Sequence, residues 1–559
     1  MNLLFENLEK LIDAPNGIEK ARELILQLAV QGKLVRQDPS DEPASELLKK
    51  IRKEKEKLIA EGKIKKQNGL SSIDIEEYPF KLPKGWLFER IGNIFFTTSG
   101  GTPSRGNFSY WNGDIPWLKS GELEDNMNIS KTEEFITEEG LKNSSAKLFE
   151  KGSVVIALYG ATAGKVGILG IDTTTNQAVC NFYRTSYVLN TYLFYFLKAN
   201  RSKIIAECFG GAQPNISQDY VKKIIFSLPP LNEQKRIVEK VNSLMTLLAE
   251  LEEKRERRNQ KRIKLNNASL EKLLTSKDDK ELKTNWKRIE ENFSTLYSVP
   301  ENVEKLKQAI LQLAVQGKLV KQDPNDESAS ELLKKIKKEK EKLIAEGKIK
   351  KQKELPPIKD EEKPFDLSKG WEWVRLGEAT NYGISLKAEG YELNDKTWVL
   401  ELEDIEKITS RILQKVRFSD KKFKSTKNYF QKGDVIYAKL RPYLDKVIVA
   451  DEDGVCTTEM IPIRGYSDID PYYLRLVLKS SYFVEYATNS THGMNLPRLG
   501  TDKARMALIP ITSLKEQKRI VEKVNELMSL CNALEEKLTK KEAEAERLVG
   551  AVVNSIFNN

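Results

Sequence analysis

ILQLAVQGKLVRQDPSDEPASELLKKIRKEKEKLIAEGKIKKQ, the stretch from Ile25 to Gln67, occurs twice in this chain, the second time at Ile310 to Gln352. The two copies agree at 39 of 43 positions without a gap. A second match, EQKRIVEKVN, begins at Glu233 and again at Glu516. Because similarity at a fixed offset reports architecture, the chain is interpreted as a tandem duplication. Each copy is predicted to have an opening segment, a globular region and a closing helix.

The opening segments are predicted to be helical. Apolar residues recur every three or four positions between Ile18 and Val35, which indicates one amphipathic helix. A second helix is expected to follow Pro43 and to stop near Gly62. Between Leu47 and Lys66 it carries nine Lys or Arg against three Glu. Such a run is usually a solvated helix face, and contact with phosphates or an acidic partner is the alternative.

The closing segments have the clearest periodicity in the chain. From Ile520 to Val552 the apolar residues follow the four-three spacing of a coiled coil. The counterpart starts at Ile237 and places Arg255, Arg258 and Arg262 on the same seam. Two such helices in one chain are expected to pack antiparallel, related by the pseudo-twofold axis that a tandem duplication permits.

The globular regions, roughly residues 87–230 and 372–513, share little sequence. They combine strand and helix signals, so a mixed α/β fold is predicted for each. Strands are expected at Ser153–Tyr159, Val166–Ile171, Asp434–Ala438 and Lys446–Ala450, and helices at about Thr191–Cys208 and Pro471–Tyr486. Recent duplication alone would leave the middles as alike as the edges. The pattern therefore suggests that the repeated opening and closing segments bind identical partners, whereas the two globular regions bind different ones.

Composition excludes several classes of protein. A chain of 559 residues is several times the size of one domain. Its net charge of +10 permits binding to a polyanion but does not by itself indicate it. The longest uncharged stretches, such as Gly152 to Gly164, are too short to span a bilayer, and no export signal is expected. Four scattered cysteines and one histidine favour neither a disulfide framework nor a zinc site, so a cytoplasmic location is expected.

The sequence offers no catalytic constellation. GATAGKVG, beginning at Gly160, resembles a phosphate loop but has three residues between its glycines and Val166 where Ser or Thr is required. EGK at Glu61 to Lys63 could mimic the end of a nuclease motif, yet it lies among basic helical repeats. Dinucleotide, metalloprotease and amino-methyltransferase signatures are absent from the sequence. Neither a cofactor nor a metal is therefore expected in this chain.

The globular regions instead carry Arg, Lys, Asn, Gln and aromatic residues, which suit base edges and phosphates. The candidates in the first are Thr102, Ser104, Arg105, Asn107, Tyr110, Trp111, Lys119, Tyr159, Thr162, Lys165, Asn176, Gln177, Gln213 and Asn215. Those in the second are Lys439, Arg441, Tyr443, Lys446, Glu459, His492, Asn495 and Arg498. Each alone is more often an ordinary surface residue, and the clustering is what suggests DNA.

Two pairs of fragments occupy matching places in the two globular regions. ALYGATAGK at Ala157 and AKLRPYLDK at Ala438 each predict a strand that leads into a Gly or Pro turn and a lysine. GGAQPNISQD at Gly210 and HGMNLPRLGTD at His492 predict loops in which the backbone can approach DNA closely.

Several motifs together resemble the specificity subunits of type I restriction-modification enzymes. They are QLAVQGKLV, DEPASELLKKI, the KGW that opens each globular region, GTPSRGNFSYWNGDIPWLKSGEL and PPLNEQKRIVEKV. The resemblance spans essentially the whole chain. It implies two target-recognition domains that each read one half of a bipartite DNA sequence, held apart by the two long antiparallel coiled-coil helices.

The resemblance also implies partners and an absence of catalysis in this chain. Two methyltransferase subunits and two ATP-driven motor-nuclease subunits are expected, with S-adenosylmethionine, ATP and Mg bound in those partners. Candidate partner contacts in the repeated segments are Gln27, Gln31, Lys33, Gln312, Gln316 and Lys318. The expected divisions are 1–75 (helical segment), 76–230 (first recognition domain), 231–275 (long helix), 276–360 (linker and repeated segment), 361–513 (second recognition domain) and 514–559 (long helix).

Two alternatives stay open at this stage. A stand-alone methyltransferase or nuclease would need cofactor or metal ligands that the sequence does not offer. A coiled-coil adaptor without DNA contact would leave two divergent globular regions unexplained. The role of residues 276–299, which join the halves, and the bases that are read cannot be deduced from the sequence.

Overall fold

The computed structural model describes residues 16–67, 69–208, 215–423, 425–467, 469–493 and 496–558. Its contacts divide the chain into two compact units. Unit 1 comprises Met1–Arg257 with Glu542–Asn559, and unit 2 comprises Arg258–Lys541. Both units are mixed α/β.

The helices follow the order that the duplication predicts. In the first half they are α1 Gly17–Val30, α2 Ala44–Ala60, α3 Ile91–Ile94, α4 Glu138–Lys142, α5 Asn190–Ala199, α6 Arg201–Glu207, α7 Gln218–Lys223 and α8 Leu231–Leu274. In the second they are α9 Asp279–Glu291, α10 Phe293–Leu296, α11 Pro300–Val315, α12 Ala329–Ala345, α13 Leu376–Ala379, α14 Pro471–Lys479, α15 Ser481–Asn489, α16 Thr501–Met506 and α17 Leu514–Asn558.

The strands of the first half are β1 Leu87–Arg90, β2 Thr97–Ser99, β3 Trp111–Leu118, β4 Asn126–Ile129, β5 Glu134–Ile136, β6 Leu148–Phe149, β7 Val154–Ala157, β8 Val166–Leu169, β9 Thr173–Thr175, β10 Val179–Phe182 and β11 Ile225–Leu228. Those of the second are β12 Glu372–Arg375, β13 Lys387–Ala388, β14 Trp398–Leu400, β15 Val416–Arg417, β16 Lys427–Phe430, β17 Val435–Ala438, β18 Val447–Val449, β19 Gly454–Cys456, β20 Met460–Ile463, β21 Thr491–His492, β22 Arg498–Leu499 and β23 Leu508–Ile511.

Each globular domain begins and ends on a pair of neighbouring strands. In unit 1, β1 pairs antiparallel with β11, and Leu87 lies opposite Leu228. In unit 2, β12 pairs antiparallel with β23, and Glu372 lies opposite Ile511. We call residues 87–228 domain 1 and residues 372–511 domain 2. Because both ends of a domain lie side by side, its interior can vary without disturbing the repeated segments.

A central strand that is buried on both faces organises each domain. In domain 1 the larger sheets have the orders β2-β10-β7-β8-β4 and β5-β3-β9-β6, and in domain 2 they are β13-β16-β19-β14-β15 and β18-β17-β20. Alternate residues of β7 enter two different apolar cores, and the same is true of β17. The period of two in a strand explains why VVIA and VIYA are entirely apolar.

Three predicted helices differ from expectation, since one ends early and two are split. The first was expected to reach Val35, but α1 ends at Val30 because the chain turns at Gly32, where φ is +69°. The helix expected over Thr191–Cys208 is split into α5 and α6 at Asn200. The one expected over Pro471–Tyr486 is split at Ser480, whose ψ of 149° is extended.

Helices α8 and α17 span Leu231–Leu274 and Leu514–Asn558, where long helices were predicted over 231–275 and 514–559. The predicted seam of α8 is buried in the core of unit 1 through Ile237, Val241, Leu244 and Leu248. The division into units falls within each helix, so that residues 258–274 of α8 belong to unit 2 and residues 542–558 of α17 belong to unit 1.

Residues 276–299 form part of the core of unit 2. Helices α9 and α10 bury Ile289 and Leu296 there, together with Leu273 at the end of α8. The Asn285 amide donates to the carbonyl oxygen of Lys272 at 3.1 Å and to Ser276 Oγ at 3.1 Å. This segment therefore fastens the end of α8 to unit 2.

Candidate nucleic-acid interface

Three segments of domain 1 meet where its central strand ends. They are the β7–β8 turn (residues 158–165), the β9–β10 turn (176–178) and the residues from Asn215 onward that lead into α7. The amide of Leu158 donates to the carbonyl of Ala178, and the amide of Ile216 donates to the carbonyl of Leu158, both at 2.7 Å. A backbone bridge also joins Tyr159 to Asn215.

Domain 2 has the same arrangement with different residues. Its β17–β18 turn (residues 439–446) is the counterpart of the β7–β8 turn. The amide of Lys439 donates to the carbonyl of Glu459, and the amide of Leu499 donates to the carbonyl of Lys439, both at 3.0 Å. A backbone bridge joins Leu440 to Arg498. The matching fragments ALYGATAGK and AKLRPYLDK therefore occupy equivalent places.

The two turns also share an unusual backbone. Gly160 and Gly164 have φ of +88° and +74°, and the residues at the matching places of domain 2, Arg441 and Asp445, have +52° and +50°. Glycine adopts this left-handed region freely, whereas other residues pay roughly 1–2 kcal/mol each. Domain 2 therefore keeps this turn geometry at a cost in conformational free energy, because it has side chains at the two positions where domain 1 has glycine.

The side chains that the two turns present differ in chemistry. Domain 1 exposes Tyr159, with 39% of its surface accessible, and the amides of Gln177 and Asn215. Domain 2 exposes Arg441 and Tyr443, the latter 49% accessible. Within the described ranges, the Arg441 guanidinium has no hydrogen bond or ion pair. One backbone frame thus displays neutral hydrogen-bonding groups in one domain and a cation with an aromatic ring in the other.

A second cluster in domain 1 surrounds Arg105. Its guanidinium lies 3.8 Å from the ring centroid of Trp111 and 4.9 Å from that of Trp117. It also pairs with Glu134, whose pKa is lowered chiefly by that hydrogen bond. Lys119 pairs with Glu133 and Glu134, and these bonds raise the pKa of its ammonium. Arg105 is thus held flat against an aromatic face with its charge partly satisfied.

The other predicted residues of domain 1 mostly support the backbone. Thr102 donates to Gln177 and so ties this cluster to the β9–β10 turn. Thr162 Oγ1 donates to the carbonyl of Ser120 at 2.7 Å. The remaining positions act through the main chain or cap turns: Ser104 accepts from Trp111, Asn107 caps Phe108–Tyr110, the carbonyl of Tyr110 accepts from Thr137, the carbonyl of Lys165 accepts from Ala157, and the amide of Asn176 donates to Leu118. Gln213 lies outside the described residues.

In domain 2 the structure pairs several of the predicted residues with each other or with the backbone. Arg498 Nε donates to both carboxylate oxygens of Glu459, at 3.1 and 3.0 Å. Lys446 Nζ donates to the carbonyl of Leu402 at 2.7 Å, and partial burial lowers the pKa of that ammonium. His492 is described only as part of β21, and Asn495 lies outside the described residues.

Sequence reasoning missed the groups that hold the β17–β18 turn in place. They are Ser410, Asp445 and Lys479, all less than a tenth exposed. The sequence did contain a signal for this cluster. Lys479 ends the mostly apolar stretch LRLVLK, and Lys198 follows the apolar stretch YLFYFL at the matching place of domain 1.

The predicted partner contacts need correction. Gln312 and Gln316 are only 8% and 7% exposed, and Gln312 accepts a hydrogen bond from Ser481. Gln27 donates to the carbonyl of Ala199, and Lys318 donates to the carbonyls of Leu274 and Ser276. The side chains of Gln27, Gln312 and Lys318 bond inside their own units and that of Gln316 is buried, so the prediction is narrowed to Gln31 and the exposed Lys33.

Other polar residues that are identical in the two copies also bond inside their own units. The Trp86 indole donates to Glu233 at 2.9 Å, and Trp371 donates to Glu516 at 3.2 Å. Arg236 pairs with Asp41, and Arg519 pairs in the same way with Asp326 in unit 2. Buried polar side chains that satisfy one another are as constrained as an apolar core. Part of the identity therefore reflects internal bonding rather than shared partners.

Two further properties concern the described part of the chain only. No group of three or more His, Cys, Asp or Glu side chains is placed there to hold a metal ion. No helix there is long and apolar enough to cross a bilayer.

Comparison with known proteins adds the family context. A family model described as the type I restriction modification DNA specificity domain matches residues 83–259 and again residues 368–545. The specificity subunits of the Escherichia coli type I restriction enzymes EcoAI and EcoEI are 34% and 30% identical to this chain, each over 97% of it and 94% of the relative. A crystal structure of the HsdS subunit from Thermoanaerobacter tengcongensis is 18% identical and covers 85% of this chain and 97% of its own, with a TM-score of 0.42.

Proposed function

Since the chain belongs to the family of type I restriction-modification DNA specificity proteins, we propose that each of its domains reads one half of a bipartite DNA target through the turn after its central strand. The chain is the non-catalytic, sequence-recognising subunit of such a complex. The adenine to be methylated must be extruded into a partner's pocket, so site selection and chemistry are carried out by different chains.

The proposal rests on one observation: the two turns have the same backbone geometry but present different side chains. The β7–β8 and β17–β18 turns have the same backbone bonds and the same left-handed positions, yet one displays Tyr159 and the other Arg441. A packing requirement would not keep a costly φ at Arg441. Sequence readout requires rigidly placed side chains of differing chemistry, because each base pair presents its own pattern of donors and acceptors.

The spacing of the half-sites is assigned to the long helices. Helix α8 has 44 residues and is therefore about 66 Å long. We propose that α8 and α17 pack antiparallel as a coiled coil and set the separation of the two readers. The apolar seam of α8 and the assignment of each helix end to the other half's unit support this arrangement.

The partners are proposed from the duplication. Two equivalent repeated segments would bind two methyltransferase subunits, and two motor-nuclease subunits would complete the complex. The exposed residues that are identical in α2 and α12, such as Lys49, Lys53 and Glu56, offer each partner the same surface. A subunit that reads DNA must share its compartment, so the proposed location is the cytoplasm.

Arg441→Gly is expected to weaken discrimination at one half-site while leaving the fold intact. Glycine suits φ of +52° better than alanine and matches Gly160 of domain 1. If the guanidinium contacts a base edge, its loss costs about 1–3 kcal/mol of discrimination at that half-site. The measurement is the methylation rate of targets with single base-pair substitutions, using the chain assembled with its methyltransferase subunits.

Tyr159→Ala is the matched variant in domain 1 and should affect only the other half-site. A uniform loss of methylation over all sequences after Arg441→Gly would indicate a phosphate contact. It would remove this turn from the proposed readers.

A further inference from the structure

The β17–β18 turn is anchored by a buried lysine on α14. Lys479 is 8% exposed, and its ammonium donates to Asp445 Oδ2 at 2.6 Å, to Ser410 Oγ at 2.9 Å and to the carbonyl of Ile408 at 2.7 Å. Asp445 is the last residue of the turn before Lys446, and Ile408 and Ser410 come from the segment between β14 and β15. The lysine therefore joins a helix, the turn and a second loop.

The same loop also bonds to the backbone at the C-terminal end of the turn. Ser410 Oγ donates to the carbonyl of Asp445 at 2.7 Å and accepts the amide of Val447 at 3.0 Å. The amide of Ile408 donates to the carbonyl of Leu444 at 2.8 Å. Residues 444, 445 and 447 are thus held by these bonds, while the amide of Arg441 donates to the carbonyl of Pro497 at 2.8 Å.

The cluster concentrates backbone strain. Ile408, Ser410, Arg441 and Asp445 all have positive φ, between +50° and +67°. A β-branched residue such as Ile408 is a genuine outlier in this region. Such conformations persist only where the surroundings over-determine them, and they concentrate at functional sites.

The charges within the cluster depend on each other. Burial raises the pKa of the Asp445 carboxyl to about 6 and lowers the pKa of the Lys479 ammonium. Removing either charge therefore leaves its partner in an environment that disfavours ionisation.

We propose that Lys479, Asp445 and Ser410 are positioning residues for sequence recognition, which hold the turn so that Arg441 and Tyr443 meet one register of base pairs. The inference rests on the proposed function of this turn. It deepens that function by assigning part of the specificity of domain 2 to side chains that never touch DNA.

Domain 1 contains the same device built from different residues. Asp125, at φ +59°, accepts the amide of Val166 at 3.1 Å, as Ser410 accepts the amide of Val447. Its carboxylate lies 3.3 Å from Arg201 Nη1 and 3.7 Å from Lys198 Nζ. Lys198 corresponds to Lys479, although its side chain is 39% exposed rather than 9%. In both domains a lysine of the helix pairs with an aspartate of positive φ, and a side chain bonded to that lysine accepts the amide of the strand after the turn.

The experiment uses the full chain assembled with its methyltransferase subunits. Lys479→Met is expected to lower discrimination at the half-site of domain 2 by about tenfold or more, since bidentate base contacts need fixed geometry. Discrimination at the other half-site should stay unchanged. The double variant Lys479→Met with Arg441→Gly should lose less discrimination than the sum of the two single losses, because the lysine acts through the turn that carries Arg441. Lys479→Arg should recover part of the loss.

Arg375→Met is the control for mere destabilisation. Arg375 is also buried in unit 2 and paired with Glu362 at 3.0 Å, but it does not contact the turn. It should lower the melting temperature without changing which bases are read. Should Lys479→Met fail to fold, Asp445→Asn replaces it, since Asn tolerates a positive φ.

The outcomes distinguish the positioning role of Lys479, Asp445 and Ser410 from the proposed reading of DNA by the turn. If Arg441→Gly loses discrimination while Lys479→Met and Asp445→Asn keep it, the positioning role is refuted and the reading turn stands. An equal loss at both half-sites, or the same loss in Arg375→Met, would also refute the positioning role. If Arg441→Gly has no effect on either half-site, the turn is not a reader and both claims fall.

Discussion

A chain in which a second copy of residues 372–511 replaces residues 87–228 is expected to read the same half-site twice and to direct methylation to a symmetric DNA target. The native target should disappear completely, because no copy of domain 1 remains. This is the largest change of specificity that the structure predicts. It is measured by mapping methylated adenines on DNA exposed to the assembled enzyme.

The exchange is expected to fold because of how each domain joins its flanks. The boundary strands are equivalent, with Leu87 opposite Leu228 in one domain and Glu372 opposite Ile511 in the other. The backbone hydrogen bond that follows the boundary strands is also equivalent in the two domains. The amide of Ile91 donates to the carbonyl of Ile224 at 2.9 Å, and that of Leu376 donates to the carbonyl of Ala507 at 2.8 Å. The graft therefore replaces one antiparallel pair with another.

The reciprocal chain, with two copies of domain 1, is the matched control and should read the other half-site twice. An unchanged target in either folded chimera would mean that specificity lies outside the domains.

A half chain that ends at residue 275 is expected to form a homodimer. Its α8 would carry Leu270 and Leu273, which are 6% and 0% exposed in the core of unit 2. Its own unit 1 would lack residues 542–559. The second copy can supply the missing helix end, because α8 and α17 both carry EQKRIVEKVN near their N-terminal ends and are therefore equivalent helices.

Light scattering at micromolar concentration should give twice the mass of one half chain. Leu273→Ala should weaken the dimer by about 2–5 kcal/mol through the lost burial. Leu265→Ala, at a half-exposed position of the same helix, is the control and should have little effect. A half chain that stays folded and monomeric would contradict the exchange of helix ends.

The sequence predicted best what is periodic over many residues. Long helices lie where the heptad spacing indicated them, since an error at one residue cannot shift a pattern repeated over the whole helix. Local breaks were less predictable. Ser480 takes an extended ψ within an otherwise helical stretch, and α1 ends at Val30 because Gly32 turns against Pro83 and Trp86.

The two turns that we propose as readers were predictable in place but not in geometry. A strand followed by a turn and a lysine in both halves located residues 158–165 and 439–446. Nothing in the sequence indicated that Arg441 adopts the conformation of Gly160, because the bond from its amide to the carbonyl of Pro497 arises only in the folded domain. The pairing of Arg498 with Glu459 was unforeseen for the same reason.

Polar residues that are identical in the two copies were a weaker guide to partner contacts. Identical Gln and Glu residues in the two copies suggested shared partners, yet Gln312 and Glu233 are buried and bonded within their own units. Only exposure, which a sequence does not report, separates an internal polar network from a docking surface.

The most direct test of the central claim is to map every adenine methylated when DNA is exposed to this chain assembled with its methyltransferase subunits. Two domains that present unlike side chains from one frame predict a single target with two unlike halves separated by a gap of constant length. A continuous target, a palindrome from the native chain, or a gap that varies from site to site would contradict that claim.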